Sequence, residues 1–171
     1  RNYIFVNVSI NETNFANATF YLYNSSFDLI NETNISAVNP TNLSINFSNL
    51  ADLNEKYYYN VTVRDIAKNE NSTETRVITL DNINPNINFA GGTEANNTFF
   101  NRNWIFVNIT TSYNNSANLT FFLYNSSFDL VNQTTYTAFN DTNNSINFTN
   151  LADTNERYYY NATSTDKASN R

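Results

Sequence analysis

The stretch Tyr57-Tyr58-Tyr59-Asn60-Val61-Thr62-Val63-Arg64-Asp65 returns 101 residues later as Tyr158-Tyr159-Tyr160-Asn161-Ala162-Thr163-Ser164-Thr165-Asp166. At a period of two, Tyr57, Tyr59, Val61 and Val63 share one face, and Tyr58, Asn60, Thr62 and Arg64 share the other. That alternation predicts a half-buried β-strand. Its outward face carries Asn60-Val61-Thr62, an acceptor triplet for N-linked sugar. A sequon on a strand has a fixed geometry: Asn and the hydroxyl residue two places on face solvent, and the residue between them turns to the core.

The same arrangement recurs on either side of this stretch. Tyr3 to Ile10 places Ile4, Val6, Val8 and Ile10 inward and Phe5, Asn7 and Ser9 outward. Asn17 to Tyr23 places Ala18, Phe20 and Leu22 inward and Asn17, Thr19, Tyr21 and Tyr23 outward. Asn24-Ser25-Ser26 reads as a turn, followed by a weaker, polar segment around Leu29 to Ala37. Asn42 to Leu50 turns Leu43, Ile45 and Phe47 inward and Asn46 and Ser48 outward; Ala51 to Lys56 reads as a connection. Ile66-Ala67-Lys68-Asn69 reverses the chain, and Thr73 to Leu80 forms a closing strand. Strands every 8 to 12 residues or so are the signature of a β-sandwich.

The second half repeats the first at one offset. Arg1-Asn2-Tyr3-Ile4-Phe5-Val6-Asn7 returns as Arg102-Asn103-Trp104-Ile105-Phe106-Val107-Asn108, and Leu22 to Leu29 returns unchanged as Leu123 to Leu130. Roughly three in five overlapping positions are identical. A period near 100 residues means tandem domains, not a solenoid. The joint falls at Asn82-Ile83-Asn84-Pro85, giving domains over 1–84 and 85–171. Gly91-Gly92, the only glycines, bend the chain after a strand from Asn86 to Ala90. The first domain is expected to lack its opening strand and the second its closing strand, as in a stretch of a longer array. Neighbouring repeats, or another molecule by β-augmentation, would supply them.

The 171 residues carry 9 basic and 15 acidic side chains, a net charge of −6 that suits neither nucleic acid nor an anionic membrane. There is no Cys for a disulfide or thiolate site, and no His for general-base or zinc chemistry. No apolar run approaches the roughly 18 residues of a membrane span, and any export signal or anchor is expected outside this stretch. No Ser/His/Asp, Cys/His or phosphate-cradling arrangement can be assembled, so catalysis is not expected.

Asn makes up about 38 residues, near 22% of the chain. Chance would place roughly 8 of them in N-x-S/T, whereas about 20 stand there. The candidate acceptors are Asn7, Asn11, Asn17, Asn24, Asn31, Asn34, Asn42, Asn46, Asn60 and Asn71 in the first half. The second half has Asn96, Asn108, Asn114, Asn118, Asn125, Asn132, Asn140, Asn143, Asn147 and Asn161. Those at Asn7, Asn17, Asn46 and Asn60, with Asn108, Asn118, Asn147 and Asn161, have an apolar middle residue, as a strand requires. The sequons at Asn24, Asn31 and Asn42, with Asn125, Asn132 and Asn143, read as turn and loop sites. Asn is a poor strand residue and Thr a good one, so propensity alone would not select Asn on these faces.

Tyr57 to Asn69 followed by Thr75 to Pro85 resembles the C-terminal half of bacterial and archaeal immunoglobulin-like surface repeats, with their Asp-x-Ala-x-Asn turn. Here that turn is Asp65-Ile66-Ala67-Lys68-Asn69, and Asp166-Lys167-Ala168-Ser169-Asn170 in the second copy. The approach from Leu50 to Tyr57 is similar to fibronectin type III and other sandwiches with a tyrosine corner. The resemblance covers about half of each copy. It implies two tandem immunoglobulin-like (Greek-key) all-β sandwiches in an extracellular spacer or adhesive stalk, without catalysis.

Two further features carry expectations. Phe5, Tyr21, Tyr23 and Tyr58, with Phe106, Phe122, Tyr124 and Tyr159, share faces with the sequon asparagines. They would pair across strands, pack against attached sugar or meet another chain. Asp65 and Asp81, with Glu55, Asp166 and Glu156, are calcium candidates near the joint. The acidic clusters usual beside such a linker are missing, which favours turn-capping and solvated charges instead. The expectation is an extracellular, N-glycosylated structural array without cofactors beyond its covalent glycans, partnered by neighbouring repeats or subunits of a filament. The alternative is an adhesin or carbohydrate-binding module using the exposed aromatics.

Overall fold

The computed structural model describes residues 1–36, 40–112, 115–139, 143–152 and 155–171. Two compact units divide the chain, Arg1–Ile83 and Asn84–Arg171. All regular structure among the described residues is β. The first unit holds β1 (Ile4–Ser9), β2 (Phe15–Tyr23), β3 (Leu29–Ile35), β4 (Asn42–Phe47), β5 (Leu53–Asp65), β6 (Glu70–Ser72) and β7 (Arg76–Asp81). The second holds β8 (Asn86–Phe89), β9 (Ile105–Ser112), β10 (Ser116–Tyr124), β11 (Leu130–Tyr136), β12 (Asn144–Phe148) and β13 (Tyr159–Asp166).

In the first unit β1 pairs antiparallel with β4, and a second sheet runs β3-β2-β5, with β6 and β7 following each other along the far edge of β5. The chain therefore crosses between sheets three times, after β1, before β4 and after β4, which is the Greek-key connection of an immunoglobulin-like sandwich. In the second unit β12-β9-β8 and β11-β10-β13 repeat the plan. Here β8 adds a strand beside β9 that β1 lacks, while β13 has no counterpart of β6 and β7 among the described residues.

Alternation builds the core. Ile4, Val6 and Phe47 from one sheet meet Ala18, Phe20, Leu22, Tyr57, Val61 and Leu80 from the other. Val107, Ile109 and Phe148 meet Leu119, Phe121 and Leu123 in the second unit. Burying an aliphatic or Phe side chain of this kind contributes about 1.5–3 kcal/mol. Bulges recur at matching places. Register shifts between Phe15 and Asn17 and between Ser116 and Asn118, and again where Tyr23 meets Leu29 and Tyr124 meets Leu130.

Three sequence expectations change. Leu53 to Lys56, read as part of a connection, belongs to β5, because β7 offers a ladder there: Leu53 pairs with Asp81 and Lys56 with Thr79, around a bulge at Asn54 (φ 63°). The closing strand, expected from Thr73, begins only at Arg76, and a separate short strand, β6, precedes it. The ladder breaks between β6 and β7, where Thr73 Oγ1 accepts the Val61 N–H at 3.0 Å. Finally, Asn31 and Asn132, read as turn or loop positions, stand on β3 and β11, and Asn42, whose sequon was read as a loop site, opens β4 as the first residue of the strand expected there. The polar composition of β3 and β11 hid edge strands that need only one buried face.

Candidate glycan-acceptor faces

On the β1–β4 sheet, antiparallel pairing sets two sequon asparagines, Asn7 and Asn42, opposite sequon hydroxyls. Asn7 stands in register with Ser44 and Ser9 with Asn42, and Ser9 Oγ donates to Asn42 Oδ1 at 3.0 Å. Phe5 lies in register with Asn46. The intervening Val8, Leu43 and Phe47 turn to the core. On the matching sheet of the second unit, Asn108 pairs with Ser145 and Phe106 with Asn147. There Asn108 is tied down, its Nδ2 donating to the Gly91 carbonyl at 3.0 Å. Gly92, at φ 89°, passes so close that a Cβ would meet the Phe106 ring at 3.2 Å.

The opposite sheet carries Asn17 and Thr19 on β2, facing Arg64 and Thr62 of β5. Thr19 points away from the core yet is only 7% exposed, because Asn34 of β3 and Thr62 of β5 flank it, and Asn34 Nδ2 donates to its Oγ1 at 2.8 Å. Beneath Asn60, Val61 is 2% exposed. Asn60 itself is half-buried: its Nδ2 donates to Thr75 Oγ1 at 3.2 Å, and its Oδ1 is enclosed without a hydrogen bond from the described residues. Asn161 stands on β13, which pairs with β10 on one edge and with no strand of the described residues on the other, and it is exposed.

No described sequon asparagine is buried. Asn17, Asn24, Asn60, Asn108 and Asn125 are half-buried, and Asn7, Asn11, Asn31, Asn34, Asn42, Asn46, Asn71, Asn96, Asn118, Asn132, Asn143, Asn147 and Asn161 are exposed. Asn114 and Asn140 lie outside the described residues. Asn24 and Asn125 differ in kind from the strand sites. Asn24 Oδ1 accepts the N–H groups of Ser26 and Asp28, both at 2.9 Å, and Nδ2 donates to Asp28 Oδ2 at 3.0 Å. Asn125 repeats the pattern with Ser127 and Asp129. These two carboxamides build the β2–β3 and β10–β11 turns.

The turns also position a pair of rings that sequence reasoning passed over. Phe27 and Phe128 adopt left-handed backbone (φ 64° and 63°), a conformation rare for bulky residues. Each lies flat on a strand tyrosine, Phe27 on Tyr58 and Phe128 on Tyr159. Tyr21 stacks with Tyr23, and Phe122 with Tyr124, to continue the row. The only hint in the sequence was that Asn-Ser-Ser-Phe-Asp returned without change.

Geometry separates the two calcium candidates, Asp65 and Asp81. Asp81 pairs with Leu53 at one end of β5, and Asp65 closes the other end opposite Phe15. Twelve residues at strand rise separate them by about 40 Å, so they cannot share a cation. Both Asp65 carboxylate oxygens are engaged by Asn69, through its N–H at 2.8 Å and its Nδ2 at 2.7 Å. Hydrogen bonding from the Asn69 side chain, more than any other cause, holds the Asp65 carboxyl below the ordinary range. Asp166 and Asn170 repeat the turn. Asp81 Oδ1 accepts the Ile83 N–H, and Glu156 accepts from Ser126 at 2.8 Å. Among the described residues no three acids gather into a metal-sized group, and no helix is long and apolar enough to cross a membrane.

No family model and no curated protein match the chain. Among solved structures, the chicken CNTN1 FN1-FN3 domains align over 94% of this chain and 54% of theirs, at 9% identity and a TM-score of 0.38. The chain thus spans about half the length of that structure.

Proposed function

We propose that this chain is a structural segment of an extracellular glycoprotein, a stalk, fibril or surface layer built from tandem sandwich repeats and coated by N-linked sugar. The observation that carries this reading is the sorting of side chains. At Asn46-Phe47-Ser48, Asn118-Leu119-Thr120 and Asn147-Phe148-Thr149 the middle residue is buried and both flanking groups turn outward. Transfer would join Nδ2 to the anomeric carbon of a lipid-phosphate-linked oligosaccharide. The C1–O bond to the carrier breaks, the lipid phosphate leaves with the electron pair, and Nδ2 gives up one proton. The hydroxyl two residues on is what the transferase reads. Sugar over these faces would cover exposed rings, adding solubility and resistance to proteases. Neighbouring repeats or further subunits are the partners this reading implies. Intact mass of the protein from its natural source, before and after chemical deglycosylation, tests the proposal. A mass left unchanged by deglycosylation would end it.

A second reading rests on the Phe27–Tyr58 and Phe128–Tyr159 pairs, whose rings offer flat apolar faces to solvent. Such faces suit the C–H face of a foreign saccharide, as in an adhesin. Bare asparagines together with saccharide-dependent quenching of tyrosine fluorescence would favour it.

A further inference from the structure

We infer that sugar at the central-strand sequons, Asn17 and Asn118, is attached before the sheets close, whereas the loop sequons Asn11 and Asn96 remain acceptors on the folded chain. This rests on the glycoprotein reading and adds to it an order of events: transfer first, folding second.

The argument begins with what a transferase must hold. It reads Asn, the middle residue and the hydroxyl together, and it must bring Nδ2 against the anomeric carbon. A strand bonded along both edges cannot enter such a cleft. β2 is that kind of strand: Ala18 pairs with Ile35 on one side and Val63 on the other, and Thr19 with Asn34 and Thr62. Presenting Asn17-Ala18-Thr19 would break both ladders, pull the fully buried Ala18 from the core and strip Thr19 Oγ1 of its bond from Asn34. β10 imposes the same condition. Leu119 is fully buried between Tyr136 of β11 and Ser164 of β13, and Thr120 Oγ1 shares a 3.0 Å hydrogen bond with Thr135. These strands open only with the core, and a folded domain visits such states in a fraction of roughly 10⁻³ to 10⁻⁶ of molecules.

The loop sites face no such barrier. Asn11 and Thr13 are exposed in the turn between β1 and β2. Asn96 is exposed in a turn between β8 and β9, where Thr98 Oγ1 donates to the Ala95 carbonyl at 2.7 Å. Neither Asn11 nor Asn96 lies in a ladder.

The test compares two samples by glycopeptide mass spectrometry. In one, the unmodified protein is folded, purified and given an oligosaccharyltransferase with a lipid-pyrophosphate-linked oligosaccharide. In the other, the same transferase meets the chain during its export from a cell. The expected result is sugar at Asn11 and Asn96 in both samples, with occupancy of Asn17 and Asn118 at least tenfold lower in the folded sample. Phe20→Ala, whether it loosens or unfolds the first unit, should restore modification of Asn17 in the purified sample. Uptake at Asn17 as fast as at Asn11 on the folded wild-type protein would overturn the order. So would an exported chain sugared in its loops but bare at Asn17 and Asn118, an outcome that leaves the glycoprotein reading standing. Sugar at no site in either sample would end both.

Discussion

The ring of Phe27 lies on that of Tyr58 with centroids 4.0 Å apart and planes inclined by 23°, and Phe128 lies on Tyr159 at 4.3 Å and 17°. The contact requires left-handed backbone at Phe27, which costs a Cβ-bearing residue about 1–2 kcal/mol. Phe27→Ala keeps that cost and loses the stacking, worth about 0.5–1.5 kcal/mol. Phe27→Gly loses the stacking too but relieves the backbone. Urea denaturation should place both wild type and Phe27→Gly above Phe27→Ala. A glycine variant less stable than the alanine one would show that the turn, in solution, does not hold this conformation.

Tyr57 donates its hydroxyl to the Ala51 carbonyl at 3.0 Å, and in the second unit Tyr158 closes the same corner by accepting the Ala152 N–H at 2.9 Å. Tyr57→Phe keeps the packed ring and leaves Ala51 unpaired, so it should lower stability by about 0.5–1.5 kcal/mol. Tyr57→Ala, which also empties a core position, should cost about 3–5 kcal/mol. Burial raises the Tyr57 pKa. The folded state therefore holds this proton more tightly than the unfolded one, and stability falls as pH rises above the ordinary tyrosine value near 10. Tyr57→Phe should flatten that alkaline slope in thermal melts taken from pH 8 to 11.

Asp65 has the opposite sign. Its carboxyl is held below its ordinary value near 3.9 by the bonds from Asn69. The folded state thus favours the charged form, and the stabilisation is present above that value and lost as pH falls through the lower, folded one. Denaturation midpoints should hold steady down to about pH 4 and then decline. Asp65→Asn should be less stable at neutral pH and show a shallower acid decline. An unchanged acid limb would mean that the Asp65–Asn69 turn does not persist in solution.

How much of this was legible follows from what period two can encode. Ala18, Phe20, Leu22, Val61 and Phe47 declared their faces because one side of each strand is dry and the other wet. The parity of Asn31 on β3 escaped notice, since a polar edge strand has no apolar row to count, and the bulge beside Leu29 shifts what row there is. The left-handed Phe27 was invisible because its signal lies in Asn24, three residues upstream, whose carboxamide shapes the turn. The burial of Thr19 could not be read from its own strand, because its cover comes from Asn34 and Thr62. Asp65 and Asp81 looked close only because chain order says nothing of the length of β5 between them.

Thr73 belongs at once to the sequon Asn71-Ser72-Thr73 and to the break between β6 and β7. Its Oγ1 accepts the Val61 N–H at 3.0 Å and donates to the Glu74 carbonyl at 3.1 Å, so sugar acceptance and sheet repair depend on one hydroxyl. Three substitutions separate the roles. Asn71→Gln removes the acceptor and leaves the hydroxyl, so the unmodified protein should keep its stability within about 0.5 kcal/mol. Thr73→Ala leaves the Val61 N–H unpaired and should cost about 1–3 kcal/mol, with Asn71 bare in addition. Thr73→Ser should recover both. Chemical denaturation alongside glycopeptide analysis of Asn71 reads the two effects independently. A Thr73→Ala protein as stable as Asn71→Gln would show that water replaces the hydroxyl at the break, reducing this threonine to its role in the sequon alone.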